Sequence, residues 1–325
     1  MSPIRLSAAV CTRDRPTLLQ RSLESLLRQA TPAAEILVVD NAPASGEVRT
    51  LVADRFPAVR YVVEPVPGLD FARNRALAEA RYEVIAFLDD DAVADVDWAG
   101  TLRRVFEAEP RVAVCTGRVE ALGLNTPGER IFEANGGFSR GSERIVLPDH
   151  AGRPLHGRPA PLIAWAISVG SGCSYAVRRD VALRLGGFDE ALDLGMPLPG
   201  GGDHDLLWRA LRSGHAVVYE PRALAWHEHR TEAAAACDQI IGHQRAVVAF
   251  LAKHLVTDRG ARPALAGYTG WRLAKPGVRL LRRALGRDPL PAPVLLRMWW
   301  NCWLGLAAYP RARRLARERR ERYAA

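Results

Sequence analysis

Disulfide chemistry has little to work with in this 325-residue chain. Its five cysteines (Cys11, Cys115, Cys173, Cys237 and Cys302) are odd in number, widely scattered and never spaced C-x-x-C. They read as reduced core thiols in a cytosolic setting, not as a metal or redox centre. The opening MSPIRLSAAVCTRDRP holds only a short apolar run before charge returns. That is too short for the apolar segment of a signal peptide, so the chain is expected inside the cell. No G-x-G-x-x-G follows the first apolar run and no G-x-x-x-x-G-K-[ST] occurs, which removes the main support for dinucleotide oxidoreductases and P-loop NTPases. There is no internal repeat. A hydrophobic fraction of 48% with 25% charged residues also excludes intrinsic disorder and collagen, leaving a soluble globular protein long enough for one large domain or two ordinary ones.

Positive charge is plentiful but local. From Trp271 onward, fourteen Lys and Arg face only Asp288, Glu318 and Glu321, a surplus of +11 in a chain whose total is +9. The body before Trp271 is therefore slightly acidic, and it carries no zinc finger, RNP aromatics or basic groove. A nucleic-acid partner is not expected.

From Leu6 to Glu220, short runs rich in Val, Ile and Ala alternate with segments of helical period. Leu6–Thr12, Glu35–Asn41, Val59–Glu64, Val84–Asp89 and Val112–Val119 read as strands, apolar enough to be buried on both faces. Pro16 stands where the first position of a helix belongs, followed by leucines at helical spacing. Residues 71–81 and 98–109 read as the next helices. The alternation predicts an α/β fold with a mostly parallel sheet. Between Leu122 and Pro161 the periodicity lapses and Gly and Pro accumulate, which reads as a long functional or disordered connection. A Gly-rich turn at Gly200–Gly202 precedes a helix from about Asp205 and a strand at 215–220. After Arg230 the chain reads as helical, broken at Pro263, Pro276 and the Pro289, Pro291, Pro293 cluster.

In an open α/β sheet, ligands bind beyond the carboxyl ends of the strands. Three acidic features fall there: the first strand ends in Cys11, Thr12, Arg13 and Asp14, the second in Asp40 and Asn41, and the fourth in Asp89, Asp90 and Asp91. In an extended backbone, Asp89 and Asp91 point one way and Asp90 the other. Crowded carboxylates repel, and a hard divalent cation such as Mn²⁺ or Mg²⁺, which can also hold substrate phosphates, relieves them. A solvated acidic turn capping the next helix fits the same three residues.

Several spaced motifs then point one way. The runs AAVCTRDRPTLLQRSLESLL, EILVVDNAP and YVVEPVPGLDFARNRALAEARYEVIAFLDDDA resemble the donor half of the family 2 inverting glycosyltransferases, which have the GT-A fold. GSGCSYAVRRDVALRLGGFDEAL and PLPGGGDHDLLWRALRSGHAVVYEPRALAWHEHR are similar to their acceptor half. The resemblance spans about residues 3–230 and rests on VVDN, ARN, DDD, GGFDE, GGGDxD and WHxHR occurring in the family's order. It implies a catalytic domain over 1–230, with a donor half at 1–119 and an acceptor half at 120–230, followed by a basic helical extension at 231–325.

The resemblance also assigns roles. Asp40 matches the carboxylate that hydrogen-bonds the donor's base, with Thr12 and Arg13 beside it. Asp89 to Asp91 match the DXD element, with Asp91 first among the metal ligands, Asp89 a second, and Asp89 or Asp90 facing the ribose. Arg73 and Asn74 match a helix that faces the nucleotide. His227 or His229 is expected to approach the metal or diphosphate, and Gly170 to Cys173 resemble the loop under the donor sugar. Asp203 matches the general base. Inverting transfer needs one such group, to deprotonate the acceptor hydroxyl as it attacks the anomeric carbon from the face opposite the leaving nucleoside diphosphate. The commoner pair at this position is Glu-Asp, whereas here Gly202 precedes Asp203. Asp205, two residues on, would point about 200° away on a helix. Structural readings remain open beside each role: a turn or cap for Asp40, a surface arginine for Arg73, a helix cap for Asp203 and backbone-bonded histidines.

The expected function is a metal-dependent inverting glycosyltransferase taking a nucleoside-diphosphate sugar to a hydroxyl on a glycan, a lipid-linked carrier or a small metabolite. A non-catalytic nucleotide-sugar or glycan binding protein of the same fold, or a nucleotidyltransferase, are the alternatives. The tail run VLLRMWWNCWLGLAAY is too short and too interrupted by Arg297 and Asn301 to span a bilayer. Tryptophans flanked by arginines suit a membrane interface on the inner face of the cell membrane, and a helix docked on the catalytic domain or across a homodimer is the other reading.

Overall fold

The strand runs, apolar on both sides, find cover on both sides. The computed structural model describes residues 3–324; Met1, Ser2 and Ala325, the outermost residues of the two expected segments, lie outside the described residues. The first half alternates β1 (Leu6–Thr12), α1 (Pro16–Leu27), β2 (Glu35–Asn41), α2 (Glu47–Arg55), β3 (Arg60–Glu64), α3 (Leu69–Glu79), β4 (Val84–Leu88), β5 (Ala92–Ala94), α4 (Trp98–Ala108) and β6 (Val112–Ala121). There follow α5 (Pro127–Ala134), β7 (Ile145–Leu147), a small hairpin of β8 (Pro154–Leu155) and β9 (Arg158–Pro159), α6 (Leu162–Val169), β10 (Ser174–Arg178), α7 (Arg179–Arg184), α8 (Gly202–Arg212) and β11 (Ala216–His227). Three long helices, α9 (Ala233–Thr257), α10 (Arg262–Ala284) and α11 (Ala292–Ala324), complete the chain.

Among the described residues one nine-stranded sheet runs β3-β2-β1-β4-β10-β6-β11-β5, with β7 also paired to β11. β5, β7 and β10 run against the other six strands, so the sheet is mixed but mostly parallel. The two-residue period of the strands sorts the core. Ala8, Val10, Val38, Ala86 and Leu88 face α1 and α4, meeting Leu19, Leu23, Trp98 and Phe106. Ala9, Leu37, Val39, Ile85 and Phe87 face the other way, toward Ala72 and Ala76 of α3, Trp208 of α8 and Phe250 of α9.

Two expectations change. The stretch 122–161 is not structureless. Thr126 and Glu129 form a reciprocal capping box that starts α5, and β7 joins the sheet edge through β11. Pro276 does not break its helix but lies inside α10, where packing against α9 and α11 outweighs the missing hydrogen bond. The break falls instead in residues 285–291, before and within the later proline cluster.

Candidate functional site

Strand register sets the site. Thr12 at the end of β1 lies beside Asp40 at the end of β2, and β4 stops at Leu88, just before the three aspartates. β5 then pairs antiparallel with the end of β11, placing His227 opposite Ala92, and the Glu228 amide donates to the Asp91 carbonyl at 2.9 Å. The two motifs, well over a hundred residues apart in sequence, are adjacent because one short strand turns back on a long one.

Asp40 is fully buried. Its Oδ2 accepts the Tyr61 hydroxyl at 2.7 Å, whereas Oδ1 has no partner among the described residues. Burial raises its carboxyl above the ordinary value against the pull of Tyr61. Thr12 donates to Asp90 at 2.7 Å, and Arg15 reaches Asp90 at 3.2 Å and Asp91 at 3.5 Å. Asp90 is thus tied inward. Asp89, raised by burial and by Asp91 to about 7, groups with His227 and Cys173, one ligand atom of each lying within 4.8 Å of the others. Burial pushes Asp91 up, but the hydrogen bond and charge of His227 override it and hold the carboxyl low. His227 Nε2 is 3.2 Å from Asp91 Oδ1.

Behind His227 a chain of rings leads outward. His227 Nδ1 is 3.0 Å from His229 Nδ1, and His229 Nε2 is 2.8 Å from Glu133 Oε1 on α5. For neutral imidazoles only one proton arrangement satisfies both bonds. Glu133 accepts from His229 Nε2–H, so His229 Nδ1 is bare and accepts from His227 Nδ1–H. His227 then presents the Nε2 lone pair to the Asp91 carboxylate, two acceptors face to face. A proton on His227 Nε2, donated to Asp91 and favoured because this contact raises the His227 pKa over the opposing effect of burial, or a divalent cation in its place, resolves the conflict. Burial and the Asp89 charge hold the Cys173 thiol far above its ordinary value, which keeps it neutral. Carboxylate and imidazole suit Mn²⁺ or Mg²⁺ better than a soft thiol, so the donor set that fits such an ion is Asp89, Asp91 and His227. His229 stands behind it, joined to His227 instead of to the carboxylates.

Asp203 opens α8 on the other side of the strip Gly172–Cys173. Its Oδ1 accepts the His204 amide and faces His204 Nδ1, both at 2.8 Å, leaving Oδ2 toward the site. Burial pushes Asp203 up, yet the charge and hydrogen bonds of His204 hold it well below the ordinary carboxylate value. His204 is raised in return, burial being outweighed by Asp203. A Cβ on Gly172 would stand 2.8 Å from Arg73 Nη2 and 3.2 Å from Asp203 Oδ2, so the residue must be small for these groups to approach. Arg73 is buried, bonded to Asp70 at 3.0 Å and Asp193 at 3.4 Å, and lies over the Tyr175 and Phe188 rings. It stands between the triplet and Asp203.

Not every expected residue joins this group. Arg13 is exposed, 3.9 Å from Asp14. Asn74 spends its amide on the turn ahead, donating to the Phe188 carbonyl at 3.0 Å and accepting the Phe188 amide at 2.7 Å. Asp205 points away, as the helical angle requires, into Arg209, Lys253 and His254. Four contributors escaped sequence reasoning. Arg15 and Tyr61 sit within or beside recognised motifs and were signalled only by proximity. Glu133 lay in the stretch that showed no periodicity. His243 lies on α9, expected to belong to the extension; burial lowers it to about 4 while Asp203, His204 and His227 act on it.

A mostly parallel sheet flanked by helices on both faces is the GT-A fold of glycosyltransferases. The mannosyltransferase PcManGT from Pyrobaculum calidifontis, solved in complex with GDP-Man and Mn²⁺, shares the fold with a TM-score of 0.58 at 20% identity, covering 97% of this chain and 87% of that one. Residues 7–186 match glycosyl transferase family 2, and the chain belongs to that family. The pre-mycofactocin glycosyltransferase of Mycobacterium tuberculosis is 31% identical over 234 residues, covering 70% of this chain and 43% of the relative. The succinoglycan biosynthesis protein ExoM of Rhizobium meliloti is 28% identical over 233 residues, covering 68% and 65%. The chain thus spans less than half the length of the first relative.

Proposed function

We propose that the protein is a metal-dependent inverting glycosyltransferase that moves a sugar from a nucleoside-diphosphate sugar to an acceptor hydroxyl, with Asp203 as general base. The observation that carries this reading is the single Gly172–Cys173 strip, which has Asp89 and His227 on one side and Arg73 and Asp203 Oδ2 on the other. A donor across the strip has its diphosphate near the first group and its anomeric carbon near the second.

Each residue has a defined task. Asp40 Oδ1, buried without a partner among the described residues, accepts an N–H of the donor's base while Tyr61 fixes the other oxygen. Thr12 and Arg15 hold Asp90, keeping the turn of the triplet rigid. Asp89, Asp91 and His227 hold Mn²⁺ or Mg²⁺, which when bound neutralises the charge that grows on the departing diphosphate. Asp203 Oδ2 takes the acceptor's proton as its oxygen bonds to the anomeric carbon and the bond to the diphosphate breaks, releasing the nucleoside diphosphate. His204 keeps Asp203 ionised and oriented.

The acceptor belongs to the class of hydroxyls on glycans, lipid-linked carriers or small metabolites. A thermal-shift screen of UDP-, GDP-, CDP- and dTDP-sugars with Mn²⁺, followed by mass spectrometry of acceptor mixtures, tests the proposal. Transfer that disappears in Asp203→Asn while donor binding persists supports it. Binding without transfer or hydrolysis by the intact protein favours a non-catalytic nucleotide-sugar binder, and full activity in EDTA removes the ion from the reaction.

A further inference from the structure

The large exposed apolar side chains concentrate on α10 and α11. On α11, Leu296, Trp299, Trp300 and Trp303 recur at helical spacing on one face, while Leu295, Met298 and Cys302 on the adjoining face are buried. At the end of α10, Leu281 and the capping Leu285 are 70% and 69% exposed, and Trp300 on α11 is 64% exposed. The two strips adjoin, because a Cβ on Gly277 of α10 would stand 3.5 Å from the Trp299 ring. Arg297 turns back to Asp238 and Asn301 donates to the Arg297 carbonyl, so both polar side chains are held beside the tryptophan face.

We propose that this face docks the protein on an anionic lipid bilayer. Charge decides between a bilayer and a second copy. Arg282, Arg283 and Arg287 beside Leu281 and Leu285, and Arg311 and Arg314 beyond the tryptophans, are exposed and have no ion pair to a carboxylate among the described residues. A second copy would set the +11 tail against itself, whereas an anionic headgroup layer matches it and receives the indole rings at its own depth. No helix among the described residues is long and apolar enough to cross a membrane, so the pair lies along the surface. This inference does not depend on the transferase reading.

The test is co-sedimentation of the full chain with vesicles of phosphatidylcholine alone or mixed with phosphatidylglycerol, without any donor. Binding is expected only with phosphatidylglycerol, falling as salt rises. Trp300→Ser with Trp303→Ser should weaken it by about tenfold or more, given the size of the side chains withdrawn from lipid. Both residues are exposed, so melting should hold steady. Failure to bind anionic vesicles, equal binding to both lipids, or unchanged binding by the double variant overturns the proposal. So does a concentration-dependent dimer, seen by light scattering, that the same substitutions dissolve.

Discussion

Glu133 makes no contact with the carboxylates at the sheet edge, yet it should govern how tightly they hold a cation. Its Oε1, 2.8 Å from His229 Nε2, fixes the proton on that nitrogen and so leaves His229 Nδ1 bare for His227. Replace it with leucine and His229 is free to carry its proton on Nδ1, which then donates to His227 and moves the His227 proton to Nε2, the atom that faces Asp91. The metal-binding lone pair is lost in the favoured tautomer. Partners behind a ligating histidine typically contribute about 10- to 100-fold in metal affinity, or about 1.4 to 2.7 kcal/mol. The cost to the apo fold should be about 1 to 3 kcal/mol, because Glu133 is partly exposed but its removal leaves the buried His229 Nε2 unpaired. Titration of Mn²⁺ into the protein, following loss of the free-ion electron paramagnetic resonance signal, reads the affinity directly. Glu133→Leu should weaken binding by one to two decades, with an apo melting curve that stays cooperative and shifts down modestly. Glu133→Gln, which keeps an acceptor oxygen, should stay near wild type. Equal affinity in all three proteins would refute the tautomer argument.

Other expectations follow from the two aspartates of α8. Asp203→Asn should lower turnover by about 10²- to 10⁴-fold, as for loss of a general base, with donor affinity measured by calorimetry retained. Asp205→Ala should act on stability instead, by about 3 to 5 kcal/mol in urea denaturation, because it strands Lys253 and Arg209 against a buried site. Burial opposes the ionised form of Asp205, but His254, Arg209 and Lys253 override it and hold the carboxyl well below its ordinary value. A depressed carboxyl contributes stability that is complete above an unfolded value of about 4 and fades as pH falls further. The gap between wild type and Asp205→Asn should therefore narrow on acidification below that point, and a constant gap would show that the charge is not what matters.

The sheet was legible because its signals are local. β1 and β2 have the bounds that their apolar runs announce, since a strand buried on both faces must begin and end where polar residues do. The stretch before β10 hid its order for the opposite reason. β7 has three residues and is stabilised by pairing with β11, a partner some seventy positions away that leaves no local period. Within the site, residues that terminate strands, such as Asp40 and Asp89, announce themselves by position. Residues that reach it from elsewhere do not: Glu133 and His243 are ordinary helix residues until tertiary packing brings one to His229 and buries the other where Asp203 and His227 act on it. Arg73 is intermediate. Its motif marked it, but not its burial between Asp70 and Asp193.

Gly202, standing where the family more commonly has glutamate, shows how a departure can be absorbed. A Cβ there would fall inside the carboxylate of Asp70, which enters the space from α3. Asp70 Oδ2 is buried without a partner among the described residues, and burial, then the Asp193 charge, raises its carboxyl far above the ordinary value. Asp193 in turn accepts the Gly202 amide at 2.9 Å and contacts Arg73. An acid is thus delivered to this point from a different element, and the glycine is what admits it. Gly202→Ala must push Asp70 aside and loosen its bond to Arg73, an overpacking that costs about 1 to 3 kcal/mol. In Asp70→Ala the space is open, so Gly202→Glu should be tolerated there and not in the wild type. A double-mutant cycle read by urea denaturation should give a coupling of about 0.5 to 3 kcal/mol in favour of the pair. Additive losses would mean that the two positions do not compete for one volume and that Gly202 is glycine for some other reason.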